Sequence, residues 1–305
     1  KSAPYLDEFY SRCVVAAEQI TENFEIVLVN DGSPDDSLDV ALRLRDKDRR
    51  VKIVDFSRNF GHHKAMMTGL MHTKGEWVFL IDADLEEPPE LLLEFDHLIR
   101  KNTDLDVVYG VQERRKGGWF ERWTGQLFFM LINTLSKYPL PNNVITARLM
   151  SRRYVDALVL HKDKEVFMLG LWAITGFKQM GITVRKASKG KTSYTLARKF
   201  SMALNAVTSF SNRPLYCIFI AGAVVAACSF CLACFYILQW LFLAQGNQTG
   251  FTTLVVSIWM VGGMNMICLG VIGMYLAKVF SEVKDRPYTI VRKFHFGTEG
   301  GNGHS

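Results

Sequence analysis

Two runs of this 305-residue chain carry no charged side chain at all: Leu215 to Ala244 and Phe251 to Ala277. The polar stretch Gln245-Gly246-Asn247-Gln248-Thr249-Gly250 separates them. A hydrocarbon core is crossed by about 20 apolar residues in a helix, and a helix pairs its own backbone groups where no water can. The runs predict a transmembrane hairpin over residues 215–279 rather than a helix pair buried in a soluble core. Arg185, Lys186, Lys189, Lys191, Arg198, Lys199 and Arg213 precede it, and Lys278, Lys284, Arg286, Arg292 and Lys293 end or follow it. The turn has no Lys or Arg. This bias puts both ends on the cytoplasmic side and the turn outside. Asn247-Gln248-Thr249 fits a glycosylation sequon, read as chance in a turn so close to the bilayer. Asn265, a polar residue inside the second run, is expected to hydrogen-bond between the helices.

The net charge of +6 suits a protein lying on an anionic membrane surface. No nucleic-acid-binding motif accompanies it, so nucleic acid is not an expected partner. Of the six cysteines, Cys217, Cys228, Cys231, Cys234 and Cys268 lie in the apolar region. There they read as small apolar packing residues rather than a metal site, since no His or carboxylate lies near. No disulfide framework is indicated. No signal peptide is visible, and the abrupt opening Lys1-Ser2-Ala3-Pro4 suggests a segment upstream.

The first two thirds alternate between β-rich and helical patterns. Strands are expected at 25–29, 51–56, 77–81 and 106–109, with helices at 5–19, 37–47, 63–72 and 89–101. Such alternation predicts a mostly parallel sheet with helices on both faces, its ligands at the carboxyl ends of the strands. Two turns at such ends carry chemistry. In Asn30-Asp31-Gly32-Ser33-Pro34, Gly32 permits a tight turn. Ser33 is expected to cap a helix with Pro34 at its first position, and Asp31 is left to accept N–H groups of a nucleotide base. In Asp82-Ala83-Asp84-Leu85-Glu86-Glu87-Pro88-Pro89-Glu90, an extended backbone would aim Asp82 and Asp84 to one face. Carboxylate oxygens there suit Mg²⁺ or Mn²⁺, with a diphosphate completing the shell. Glu86 is expected to add a third oxygen. Glu87 and Glu90 read as helix-start residues, and the pair His62 and His63 as surface residues.

Taken with Ser57-Arg58-Asn59-Phe60-Gly61, Arg148-Leu149-Met150-Ser151-Arg152-Arg153, Gly170-Leu171-Trp172, Lys189-Gly190-Lys191-Thr192-Ser193-Tyr194 and Glu282-Val283-Lys284-Asp285-Arg286-Pro287, these turns resemble a family-2 inverting glycosyltransferase. The resemblance runs over nearly the whole chain. It is nearest to the branch that makes polyprenyl-phosphate sugars, dolichol-phosphate mannose synthase and bacterial undecaprenyl-phosphate glycosyltransferases. It implies a GT-A catalytic domain over 1–199, interfacial amphipathic helices near 117–137, a juxtamembrane helix at 200–214 and a cytoplasmic tail at 280–305. It implies transfer from a UDP- or GDP-sugar to a polyisoprenyl phosphate at a bacterial inner membrane, with Mg²⁺ or Mn²⁺ as cofactor. Asp31, Ser33, Gly61 and Asp82 would bind the nucleotide, and Asp82, Asp84 and Glu86 the metal. The partners are the donor, the lipid phosphate, the bilayer and a further copy of the chain in a homo-oligomer. Three departures stand out. The family's opening strand and turn precede the first residue here; Gln112 replaces a frequent Arg, with Arg114 and Arg115 following; and Val144-Ile145-Thr146-Ala147 lacks the acidic residue many relatives carry.

A lipid phosphate is already anionic near neutral pH, so its oxygen needs no general base. What it needs is a cationic seat beside the bilayer. Arg114 and Arg122 are the catalytic cations expected, and Arg122, Arg148, Lys191 and Arg198 the acceptor-phosphate contacts. The segment 118–137 is rich in Trp, Phe and Leu and suits an interfacial helix. The turn at 190–194 suits a mobile cover over the donor. A processive polysaccharide synthase would carry Gln-x-x-Arg-Trp, which Glu121-Arg122-Trp123 is not. A membrane scaffold with a vestigial domain is countered by the intact Asp82 and Asp84. A dinucleotide oxidoreductase lacks its Gly-x-Gly-x-x-Gly after a strand.

Overall fold

A computed structural model describes residues 2–112, 143–164, 166–184, 213–243 and 250–296. Arg114, Arg122, Lys191, Arg198, the 117–137 segment, the 190–194 turn and the juxtamembrane stretch up to 212 lie outside the described residues.

The described chain runs α1 (Ala3–Glu18), β1 (Ile26–Asn30), α2 (Ser37–Lys47), β2 (Val51–Phe56), α3 (His62–Met71), β3 (Trp77–Leu80), α4 (Leu91–Lys101), β4 (Val107–Gln112), β5 (Val144–Ser151), α5 (Arg152–Val159), α6 (Met168–Ile174), β6 (Gln179–Val184), α7 (Arg213–Leu243), α8 (Phe251–Val283) and β7 (Val291–His295). Two compact units result. One holds the elements through β6 and resumes at Arg286; the other holds α7 and α8.

The first unit contains two sheets, β1-β2-β7 and β3-β5-β4-β6, in place of the single mostly parallel sheet expected. β1 and β2 are parallel, as are β4 and β6. β5 is the reason for the difference. It lies between β3 and β4 and is antiparallel to both, pairing Leu80 with Arg148 and Tyr109 with Arg148. The second difference is β7. Residues expected to be a tail return after α8 and pair antiparallel with β2.

Apolar spacing explains which faces pack. Leu6 and Phe9 of α1, and Val40, Ala41 and Leu44 of α2, lie three or four apart or adjacent. They bury one stripe on Val51 and Ile53. Leu91, Phe95 and Ile99 of α4 do the same against Val108, Ala147 and Leu149. Burying a side chain of this kind contributes about 1.5–3 kcal/mol.

In the second unit, α7 has 31 residues and α8 has 33. Both are long and apolar enough to cross a membrane, and their spanning stretches bury nothing within the molecule. Phe219 is 73% exposed and Trp259 78%. Asn265 lies on the exposed surface of α8 rather than packed between helices.

Candidate active site

Two turns build the first half of the site. After β1 the chain reverses at Gly32, whose φ is +60°. A Cβ there would stand 2.6 Å from the Asn59 nitrogen and 2.7 Å from the Arg58 carbonyl carbon. Glycine alone lets the 30–33 turn lie against the loop that follows β2. Asp31 fastens the two together: Oδ1 accepts from the Phe60 N–H at 2.6 Å and Oδ2 from the Gly61 N–H at 3.0 Å. Asn59 Nδ2 donates to the Asp31 carbonyl at 3.0 Å. The Asn-Asp-Gly-Ser and Ser-Arg-Asn-Phe-Gly motifs are thus two walls of one cradle. Gly61, at φ +104°, begins α3. Asp31 spends a lone pair of each oxygen inside the protein and keeps a second on each.

Ser33 does not cap a helix. Its N–H donates to Asn30 Oδ1 at 3.2 Å, which holds it in the turn. The helix starts later, at Ser37 after Asp36, with Ser37 Oγ donating to Asp35 Oδ1 at 2.7 Å.

The acidic turn forms the second half. β3 ends at Leu80, so Asp82 and Asp84 lie beyond the strand, not on an extended stretch. Leu85 takes φ +60°, and Asp84 Oδ1 accepts the Glu86 N–H at 2.9 Å. A leucine in the left-handed region stores about 1–3 kcal/mol of strain, the kind found at functional turns. Asp82 Oδ2 accepts from Thr146 Oγ1 of β5 at 2.9 Å, while its Oδ1 stands 3.3 Å from His62 Nε2.

His62 is exposed, as read from sequence, and it also joins the two halves. Hydrogen bonding to Asp82 raises its pKa against the opposing effect of burial, and the charges of Asp82, Asp31 and Asp84 raise it further. His63 has a different environment. Burial pushes its pKa down, and its Nδ1 lies 3.0 Å from the Val166 carbonyl.

Glu87 is also placed differently from its expected role. It is 1% exposed, and its carboxylate accepts from the Thr146 N–H at 3.2 Å and the Ala147 N–H at 2.7 Å. It therefore bolts the acidic turn to β5. Glu90 does stand at the start of α4, where Arg12 grips it at 2.8 and 2.7 Å. Sequence reasoning missed three residues here: His62, Glu87 and Thr146. The available signals were His62 directly after the Gly61 motif and Thr146 two residues before Arg148, hence on the same face of a strand.

Arg148 is 1% exposed, not a surface cation. Its guanidinium carbon lies 3.0 Å from the centre of the Trp172 ring, and Nε donates to the Thr146 carbonyl at 3.3 Å. Nη2 has no hydrogen-bond partner among the described residues. Burial pushes the guanidinium down to about 9, against the opposing effects of Tyr154, Tyr109 and Glu87, so it keeps its charge at neutral pH. It faces a small cavity of about 30 Å³ shared with Tyr109, Val144, Trp172 and Gln179.

No group of three or more His, Cys, Asp or Glu side chains among the described residues is gathered to hold a metal. The trio Asp82, Asp84 and Glu86 is therefore not a preformed cage. The donors present still fit a hard cation of the Mg²⁺ type, which binds one or two carboxylates and takes its other ligands from water and phosphate.

Residues 3–159 match Glycosyl transferase family 2. The chain is 47% identical over 295 residues to a Mycobacterium tuberculosis protein described as a glycosyltransferase, covering 96% of this chain and 85% of that one. It is 34% identical over 278 residues to the bactoprenol glucosyl transferase of Shigella phage SfII, covering 90% and 88%. Among solved structures it is similar to mannosyl-3-phosphoglycerate synthase from Rubrobacter xylanophilus, at 17% identity and a TM-score of 0.44, covering 82% and 75%.

Proposed function

The chain belongs to glycosyl transferase family 2 and is a glycosyltransferase; from that premise we propose that it moves a sugar, with inversion, from a nucleotide-sugar to the phosphate of a polyisoprenyl lipid at a membrane surface. The observation that carries this reading is the 3.3 Å approach of His62 to Asp82. It sets the cradle after β1 and β2 against the acidic turn after β3, so that a nucleotide seated on one presents its diphosphate to the other. The bactoprenol relatives and the two apolar helices support the lipid acceptor. The cationic flanks of those helices support a cytoplasmic catalytic unit.

In this mechanism Asp31 and Ser33 position the nucleotide, and the Phe60 and Gly61 amides fix the Asp31 carboxylate for it. Asp82 and Asp84 would hold Mg²⁺ or Mn²⁺, which would neutralise the leaving diphosphate. Glu86 would add a third oxygen, and its backbone N–H donates to Asp84. His62, paired with Asp82, would add positive charge near the diphosphate when protonated. The acceptor is already an anion, so no residue takes a proton from it; catalysis is alignment and charge screening. In-line attack on an α-linked donor gives a β-linked product. Arg114, Arg122, Lys191 and Arg198 are the proposed acceptor contacts on the strength of their charge. Arg148 meets an acceptor oxygen only through its cavity.

The test is incubation of membranes containing the protein with a panel of labelled UDP- and GDP-sugars and undecaprenyl phosphate, with Mn²⁺ or with chelator. Transfer of label to a single-sugar lipid phosphate, lost with chelator, is the expected result. Growth of a polymer, or release of free sugar with no labelled lipid, would overturn the proposal.

A further inference from the structure

Beyond α8 the chain does not trail off. Within a few residues it enters the first sheet as β7 and reaches both walls of the cradle. The β2–β7 register shifts between Asp55 and Phe56, an irregularity that re-aims the side chain next to it. That side chain is Arg292. Its Nη1 lies 3.7 Å from Asp55 Oδ2, and its Nη2 donates to the Ser57 carbonyl at 2.9 Å. The Ser57 N–H in turn donates to the Ile290 carbonyl at 2.9 Å. One strand end therefore holds the start of the 57–61 loop by two hydrogen bonds.

The other wall is reached through Asp55. This carboxylate is 2% exposed and accepts from Asn30 Nδ2 at 2.8 Å. The same Asn30 amide group, through Oδ1, accepts the Ser33 N–H. An unbroken line thus runs from Arg292 to Asp55, from Asp55 to Asn30, and from Asn30 to the turn that carries Asp31 and Gly32. The two walls meet where Asp31 accepts the Phe60 and Gly61 amides. A third tie reaches α3, whose first residue is His62: Thr289 Oγ1 lies 3.1 Å from Thr68 Oγ1.

We propose that Arg292 is a positioning residue for the nucleotide, acting through Asp55 and Asn30 on one wall of the cradle and through Ser57 on the other. The donor half of the site is therefore completed by the segment that follows the apolar hairpin. Arg292 is itself 59% exposed, with one guanidinium nitrogen 3.7 Å from the buried Asp55 carboxylate and the other on the Ser57 carbonyl. The single ammonium of lysine fills that double role only in part. The inference rests on the nucleotide-sugar reading above.

The experiment uses the full chain in membranes, with Arg292→Ala, Arg292→Lys, Asn30→Ala and the Arg292→Ala/Asn30→Ala double variant. Donor KM, acceptor KM and kcat are measured for each, with UDP and GDP binding by calorimetry and thermal unfolding alongside. Arg292→Ala and Asn30→Ala each raise the donor KM roughly fivefold, the scale of one lost polar pairing, with acceptor KM and kcat nearly unchanged. The double variant stays near that value instead of multiplying, because both changes cut one line. Arg292→Lys recovers part of the loss. Multiplicative effects, equal rises in both KM values, or an unchanged donor KM would overturn the positioning role. Wild-type protein that transfers no sugar would instead sink the underlying reading. The calorimetric comparison still decides the role of Arg292 in that case, by whether nucleotide affinity falls in step with the variants.

Discussion

The two halves of the site are held by different means. The cradle after β1 and β2 closes on backbone: a positive-φ glycine packed on the 57–61 loop and two amides of that loop on the Asp31 carboxylate, with the Arg292, Asp55 and Asn30 side chains behind. The acidic turn after β3 is tied through side chains to a strand distant in sequence: Thr146 on Asp82, and the turn's own Glu87 on the amides of β5. Backbone walls suit a ligand whose shape is constant, such as a nucleotide. Side-chain supports suit a place where charge must be tuned, beside a diphosphate and a cation. Damage to the first half should therefore appear in donor binding and folding together, and damage to the second mainly in turnover.

The largest effect tests that contrast most directly. Asp84→Ala removes a proposed cation ligand, and lipid labelling should fall by about 100-fold or more, the scale of losing one electrostatic contact to the reacting groups. Thermal unfolding should move little, since the turn keeps its backbone; unchanged labelling would remove the cation role. Gly32→Ala should act on the other half. Its new Cβ meets backbone atoms at 2.6 and 2.7 Å at φ +60°, so it should cost about 2 kcal/mol or more and raise the donor KM. A variant as stable as wild type would show that the 30–33 turn can move away from the 57–61 loop. Glu87→Gln comes next. A carboxylate that accepts two amides becomes a group with one acceptor, leaving a buried N–H unpaired at about 1–2 kcal/mol. The loss should appear as a lower Tm and a lower kcat, with donor KM unmoved.

The sequence disclosed these halves unequally, for the same reason. The cradle was legible because backbone needs write themselves as Asn-Asp-Gly-Ser and Ser-Arg-Asn-Phe-Gly. Helix 37–47 and strand 51–56 were read with the bounds the structure has, since turn residues frame them. The apolar helices were legible from composition alone. The partnership of β5 with β3 and β4 was not. Register across distant segments leaves no local mark, so Val144 to Ser151 was read without a strand and the sheet looked parallel. Glu87 was hidden by its neighbours, because a Glu before Pro-Pro reads as a helix start until the buried amides of Thr146 and Ala147 are seen. β7 was hidden for a similar reason. Val291-Arg292-Lys293-Phe294-His295 is short and half charged, and nothing local says which strand it will join.

The smallest expected effect falls on the residue that joins the halves. His62 touches the acidic turn but starts the helix that leaves the cradle, so it belongs to both kinds of support. His62 Nε2 stands 3.3 Å from Asp82 Oδ1, and the His62 side chain is 60% exposed, so solvent weakens the pairing. His62→Ala should lower kcat/KM for the donor by only about fivefold, within what one exposed polar contact yields. The way that loss divides is informative. A fall in kcat at constant donor KM would assign His62 to the charge-tuned half, acting on the departing diphosphate. A rise in donor KM at constant kcat would assign it to the backbone-built half, where His62→Gln, which keeps a donor at similar reach, should restore most of the loss. No change in either parameter would mean that the proximity of His62 to Asp82 joins the two turns in space without joining them in function.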